Sequence, residues 1–490
     1  VNRPDDIAAR LDRLPVTRLH LLVALLCGFG LFVDVAELAL NGALSVVFSA
    51  PPHALPPAQL GVLIGSVFLG GAIGAPLFGI LADRAGRRLA LQVSLVLLAL
   101  PSLLAGLSDT DAGLIAYRFL SGMALGAYPP LMTAFLADIL PPRRRGTVIL
   151  AADALGLLGW PAVILFVHLM TPFSPLGLEG WRWSLVGGAI LAAIGAVLFS
   201  LVPESPRWLA VAGRADEAEA ACRRFEQSAA RRRDAGATAA APPFAATAAA
   251  PPFAATAAAP PFAATAAAPP SAATRPAVEP GAEAATTAPF LALSVAHPSS
   301  VLAPSQGPPG AAAYTPAYWR RVALLAAVYL LRAWATLGFP LVSGAILLAK
   351  GWDVRSSLLF IGLAGFGAAT GALLASSFAD RLERRTALTL CSVALVAAAA
   401  FNLVGAMYGP ILSVYATELF PTVARTTATA TAWSANRIGS GLAPLALLPL
   451  LHAAGTLAVL ATIAAALTAN LVLILAFGPR GLSGRPLSER

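Results

Sequence analysis

Apolar runs of about twenty residues or more recur along the chain, separated by short polar segments whose basic residues are almost all arginine. A run of that length crosses the hydrocarbon core of a bilayer as a helix, the one open-chain form that satisfies its own backbone in lipid. The pattern predicts spans over 19–48, 59–82, 89–107, 112–137, 147–170 and 181–202. It continues with 321–349, 356–379, a shorter apolar region at 386–416, and spans over 428–451 and 454–477. The fold class expected is an all-α membrane protein. The first run is too long for a signal peptide, and no small-residue cleavage site follows it, so it is kept as a span. The chain opens on Val1 and not Met, which points to residues missing upstream.

Composition sharpens this picture. Hydrophobic residues make up 58% of the 490 and charged residues 12%, about half the share of a soluble protein. A net charge of +9 would suggest nucleic acid in a soluble chain, but here the arginines sit between apolar runs. Arg84, Arg87 and Arg88 follow the second span, Arg143, Arg144 and Arg145 the fourth, and Arg207, Arg214, Arg223 and Arg224 the sixth. Arg381, Arg384 and Arg385 follow the eighth, whereas the loops at 49–58 and 171–180 hold no Lys or Arg. The positive-inside rule then puts both termini and every arginine-rich loop in the cytoplasm. Cys27, Cys222 and Cys391 have no spacing that suggests a metal site or a disulfide framework.

The predicted organisation is a first transmembrane half over 1–202, a central loop over 203–320 and a second half over 321–490. Residues 203–233 read as short amphipathic helices. From about 235 to 316 the chain turns to Ala, Pro and Thr, with the nonamer Ala-Pro-Pro-Phe-Ala-Ala-Thr-Ala-Ala starting at Ala241, Ala250 and Ala259 and altered at Ala268. Prolines at that period forbid a continuous helix, and little apolar surface is available to bury, so a disordered linker is expected.

The two halves repeat each other. Asp83-Arg84-Ala-Gly-Arg87-Arg88 has a partner in Asp380-Arg381-Leu-Glu-Arg384-Arg385. Asp138, followed by Pro141 and Arg145, has a partner in Glu418, followed by Pro421 and Arg425. Two matched pairs in the same order argue for duplicated halves. The interval from Asp380 to Glu418 is the shorter one, and 386–416 falls short of the roughly 45 residues that two spans and a turn need. Either two short spans or one merged span occupies it, and a deletion near Phe401–Met407 is the reading favoured.

These segments resemble those of a known family. Gly79 to Arg88 resembles the loop signature between helices 2 and 3 of the major facilitator superfamily, and Arg118-Phe-Leu-Ser-Gly122-Met-Ala-Leu-Gly126 its helix 4 motif. Pro203-Glu204-Ser-Pro-Arg207-Trp-Leu209 and Tyr415-Ala-Thr-Glu418-Leu-Phe-Pro421-Thr-Val-Ala-Arg425 are similar to segments of its sugar-porter and related branches. The resemblance implies two pseudo-symmetric six-helix bundles. The paired Gln of sugar porters is absent from 328–336, and so is the Gln of helix 5, where Ala152-Asp153 stands. Phe32-Val-Asp34-Val-Ala-Glu37 and Asn436-Arg437-Ile-Gly439 look more like the niacin-type, synaptic-vesicle-related and metabolite:proton symporters.

A charge at mid-bilayer costs about 2.5–3.5 kcal/mol on insertion scales, so each one needs a partner or a cavity. Asp34, Glu37 and Asn41 fall on one face of the first span. Two carboxylates a turn apart repel, and burial disfavours both ionised forms, which is the situation proton coupling uses. Asp34 is the expected coupling acid and Glu37 its modifier; a structural salt bridge is the bland alternative. Arg118 is an ion partner for the first span. Arg332 and Arg437, if they line a cavity, would fork onto a carboxylate; Arg437 could instead snorkel to the surface. Asn41, Arg118, Asp153, Trp334 and Asn436 complete the cavity candidates, with Tyr329, Trp433 and Trp160 as further aromatic residues that stack on a solute or simply pack. Pro129-Pro130 and Pro340 should bend their helices.

The resemblance further implies a cytoplasmic clasp of ion pairs: Asp83 with Arg87 beside Arg84, Asp380 with Arg384, Glu204 with Arg207, Asp138 with Arg145, and Glu418 with Arg425. Plain topology marking by positive charge is the alternative. No nucleotide-binding glycine loop, nucleophile–base arrangement or metal-ligand cluster is present in the sequence, so no enzyme, cofactor or metal is expected. The function expected is proton-coupled symport of a small organic solute, preferably an organic anion, by a monomer in the bilayer without nucleic acid. A sugar carrier, and a non-transporting sensor with a carrier fold, are the alternatives.

Overall fold

A computed structural model describes residues 4–51, 53, 55–240, 316–336, 347, 351–378, 380–381, 383–397, 401–422 and 424–479. Within these the chain is helical, and eight helices are long and apolar enough to cross a bilayer. The nonamer repeats and Pro340 lie outside the described residues.

The first span is α2 (Arg18–Val47), whose first turn is closed by a capping box between Thr17 and His20. It is preceded by α1 (Pro4–Arg13), a helix that the hydropathy pattern did not announce. Ile7 and Leu11 of α1 are buried, and Arg10 donates to Glu219 at 2.6 Å and to Glu226 at 2.9 Å. The second and third spans are α3 (Pro57–Ala85) and α4 (Arg87–Gly106). The fourth is broken into α5 (Asp111–Leu125) and α6 (Tyr128–Ile139). Pro129 and Pro130 stand in the first turn of α6, where a missing N–H costs nothing. The fifth is likewise divided, into α7 (Arg145–Leu157) and α8 (Gly159–Met170), and the sixth is α9 (Arg182–Leu198). Two helices then leave the spans: α10 (Pro206–Val211) and α11 (Ala215–Ala240), the latter running past the expected start of the linker.

The second half holds α12 (Pro316–Thr336), α13 (Val354–Phe378), α14 (Arg384–Ala397), α15 (Phe401–Glu418) and α16 (Arg425–Phe477). The described parts of 386–416 form two helices packed on each other, which excludes a single merged span. At 14 and 18 residues they measure about 21 and 27 Å, against a hydrocarbon core of about 30 Å. The last two expected spans run on as α16, bent only at Gly455 (φ 77°, ψ 179°), a conformation that glycine alone adopts readily. The turn between those spans is therefore a single residue.

The halves meet along two equivalent seams. Helix α3 packs on α16, and α13 packs on α7 and α8, so the second span of each half faces the fifth of the other. Close approach at the first seam depends on Gly79, where a Cβ would lie 2.8 Å from Ala430 Cβ and 3.0 Å from the Thr426 carbonyl oxygen. Gly79→Val is expected to destabilise the purified protein by about 1–3 kcal/mol through overpacking. Gly65→Val, where nothing lies within 4 Å, serves as the control in the same thermal unfolding experiment; equal losses in both variants would refute the packing argument.

Candidate substrate cavity and ion-pair cluster

A cavity of about 150 Å³ lies between the halves. The first half contributes Asp34 and Leu38 from α2, Phe68 from α3, Asp153 from α7 and Trp160 from α8; the second contributes Arg332 from α12 and Trp433, Asn436 and Arg437 from α16. The acids thus stand on one wall and the arginines on the other, with apolar and aromatic side chains between them.

Asp34, Glu37 and Asn41 of α2 separate into two roles. Arg118 donates to Glu37 Oε2 at 2.6 Å, to the Glu37 carbonyl oxygen at 3.0 Å and to Asn41 Oδ1 at 2.9 Å. This knot is buried beside the cavity; neither Arg118 nor Asn41 lines it. Asp34, one turn earlier, does line it. Its nearest cation is Arg437, with Nη2 at 3.9 Å from Oδ2, and neither carboxylate oxygen accepts a hydrogen bond. Arg437 is 2% exposed, so it does not snorkel outward. It donates to the Leu125 carbonyl oxygen at 3.0 Å and lies over the Trp433 ring at 5.4 Å.

Arg332 lies over the same indole at 5.8 Å and interacts electrostatically with Asp153. Trp433 is held edge-on against Tyr329, centroids 5.0 Å apart, and its indole N–H has no acceptor. Asn436 donates to the Tyr329 carbonyl oxygen at 3.2 Å and leaves Oδ1 without a donor. Trp334 is not in the cavity wall: it packs against the hydrophobic core, and Trp433, on α16, takes the aromatic place expected of it. Periodicity alone did not tell which face of α12 turns inward.

At the arginine-rich end the halves are joined by a buried cluster. Asp138 lies between two guanidinium groups: Arg87 Nε donates to it at 3.1 Å, and Arg425 Nη1 bonds its other oxygen. Asp83 accepts from the backbone N–H groups of Thr427 at 2.7 Å and Thr426 at 3.4 Å, at the start of α16. Asp380 does the same for α7, accepting from Gly146 at 2.8 Å and Thr147 at 2.7 Å. A carboxylate at a helix N-terminus meets both unpaired donors and the positive end of the dipole. Arg87 pairs with Asp83 and Arg384 with Asp380, each at 3.1 Å.

The remaining expected pairs are redistributed. Asp138 takes Arg87 and Arg425 in place of Arg145, because Pro141 turns the chain and Arg145 opens the next helix. Glu418 lies 3.9 Å from Arg384 and not against Arg425. Glu204 accepts from the backbone N–H groups of Arg87, Arg88 and Ser205, and Arg207 pairs with Asp12. Burial pushes the Glu204 carboxyl above its ordinary range, and the Ser205 and Arg88 N–H groups pull it back. Arg84 stays exposed.

Residues 32–242 match the Sugar (and other) transporter family. The chain is 32% identical over 214 residues to the arabinose-proton symporter of Bacillus subtilis (strain 168), covering 42% of this chain and 46% of that protein. It is 27% identical over 224 residues to the niacin transporter NiaP of Acinetobacter baylyi, covering 45% and 49%. The chain thus spans about half the length of these relatives. In three dimensions it superposes on the proton:xylose symporter XylE bound to 6-bromo-6-deoxy-D-glucose with a TM-score of 0.64, covering 96% of this chain and 98% of that one at 17% identity. A likeness at that identity speaks for the fold, and it extends over the half that the family match leaves out. The first half is thus similar to the Sugar (and other) transporter family, and the whole chain shares the fold of the XylE symporter.

Proposed function

We propose that the protein is a proton-coupled carrier that moves a small organic anion across a membrane by alternating access, with its arginine-rich end and both termini in the cytoplasm. The observation that carries this reading is the cavity itself: two arginines on one wall, two aspartates on the other, and apolar and aromatic side chains between. Two guanidinium groups suit a carboxylate, and an apolar floor suits a ring or short chain better than a sugar, whose hydroxyls each need a partner. Asp34 is the proton site, since Glu37 is engaged by Arg118 whereas Asp34 faces the cavity without a hydrogen bond. The buried cluster at the arginine-rich end is the clasp that holds that side shut, and rocking of the halves about the midplane opens it.

The test is proton movement in proteoliposomes carrying a lumenal pH dye, challenged with monocarboxylates and with pentoses and hexoses. Lumenal acidification with carboxylates is expected. Arg437→Gln is expected to lower carboxylate uptake by about 10- to 100-fold, the loss of one charge-assisted contact of about 1.5–3 kcal/mol. Sugar transport is the second reading, favoured by the similarity of the first half to the arabinose-proton symporter. Uptake of sugars with no response to carboxylates would establish it in place of the anion. Saturable binding without translocation of either would leave a sensor.

A further inference from the structure

A cleft of about 370 Å³ lies outside the central cavity, where the first span meets α11. One wall is the opening turn of α2, with Arg18, Leu19 and Leu22. The other is a single stripe of α11: Arg224, Gln227, Ser228 and Arg231, at i, i+3, i+4 and i+7. The two walls are pinned together, because the Leu19 backbone N–H donates to Ser228 Oγ at 3.2 Å and His20 stacks against Phe225 with centroids 4.7 Å apart. Arg224 also donates to the Leu201 carbonyl oxygen at 3.1 Å, where the sixth span ends. The cleft therefore sits at the level where two spans leave the bilayer.

Its charge is unbalanced by construction. Of the described acids of α11, Glu219 and Glu226 are both paired with Arg10 of α1. Among the described residues no acid lines the cleft, while three arginines do. On the bilayer side, Leu22 belongs to the cleft and continues into Leu21 and Leu25, which are 54% and 56% exposed on the outer surface of the bundle. A basic pocket at the membrane surface that opens sideways onto an apolar strip matches an amphiphile with a negative head. We propose that this cleft binds the phosphodiester headgroup of an anionic phospholipid, with the arginines on the phosphate, Gln227 on the headgroup hydroxyls and an acyl chain along Leu22 and Leu25. The site depends on the chain being membrane-embedded, not on which solute it carries.

The full chain is reconstituted in phosphatidylcholine vesicles containing a trace of spin-labelled phosphatidylglycerol or spin-labelled phosphatidylcholine. The motionally restricted fraction then gives the relative affinity. The wild type is expected to prefer phosphatidylglycerol, and R18Q/R224Q/R231Q to reduce that preference by about tenfold. R18K/R224K/R231K should retain most of it, which controls for folding. R143Q/R144Q, which removes exposed arginines elsewhere at the same end, should leave it unchanged. An equal loss in R143Q/R144Q would reduce the effect to general surface charge and overturn the site. So would a wild type with no preference for phosphatidylglycerol. Displacement of the labelled lipid by millimolar inorganic phosphate would assign the cleft to a free phosphate and overturn the lipid.

Discussion

Asp34→Asn is expected to yield a carrier that still exchanges its solute across the bilayer but no longer concentrates it when a proton gradient is imposed. A carboxamide keeps the shape and neutrality of the protonated acid and cannot release a proton. One pH unit corresponds to about 1.4 kcal/mol, so a symporter moving one proton per solute accumulates about tenfold per unit of gradient. In the variant that ratio should fall to about one, with counterflow of labelled solute retained. The contrast is Glu37→Gln. It strips the carboxylate from Arg118, which is wholly buried, and an uncompensated buried charge costs about 3–5 kcal/mol. That variant should show up as lost thermal stability and poor yield rather than as uncoupling. Undiminished accumulation by Asp34→Asn would rule out Asp34 as the proton site, and the same uncoupling in a well-folded Glu37→Gln would move the role there.

The second large effect belongs to Asp138. Among the described residues it is the only acid in an ion pair with Arg425, and it shares Arg87 with Asp83. Asp138→Asn leaves two fully buried guanidinium groups facing a neutral amide. About 3–5 kcal/mol is expected to be lost from the state with this end closed. A two-state equilibrium shifted by that amount moves more than 100-fold toward the open form. Spin labels at positions 84 and 381, both exposed on the two halves at this end, would read the change as a longer interlabel distance. An unchanged distance distribution in a folded variant would remove the clasp from the mechanism.

Much of the fold was legible because apolar length and arginine position are one-dimensional signals. The limits of the first six spans were met within a few residues, and the Asp83 and Asp380 motifs announced the repeat. What the sequence hid was partner choice. Asp138 and Arg145 are seven residues apart, yet the turn at Pro141 sends them to different helices, and Arg425, from the other half, takes the place. Trp334 and Trp433 have the same chemistry, and only the rotation of α12 and α16 decides which one lines the cavity. Helix α1 did have a signal: Ile7, Leu11 and Leu14 recur at helical spacing among charges. The helix is too short and too polar to register beside membrane spans.

The paired aspartates have a dynamic consequence. Asp83 is rooted in the first half and grips the start of α16, while Asp380 is rooted in the second and grips the start of α7. Each half therefore holds one hook and one eye, related by the internal duplication. Parting the halves at one edge only would twist the other fastening against an intact helix end. In the proposed rocking of the halves the two fastenings should let go together, so the losses in Asp83→Asn and Asp380→Asn enter one closed-to-open equilibrium and should add in the double variant. The repeated hook-and-eye gives a single polypeptide the paired contacts that a symmetric dimer obtains from two copies.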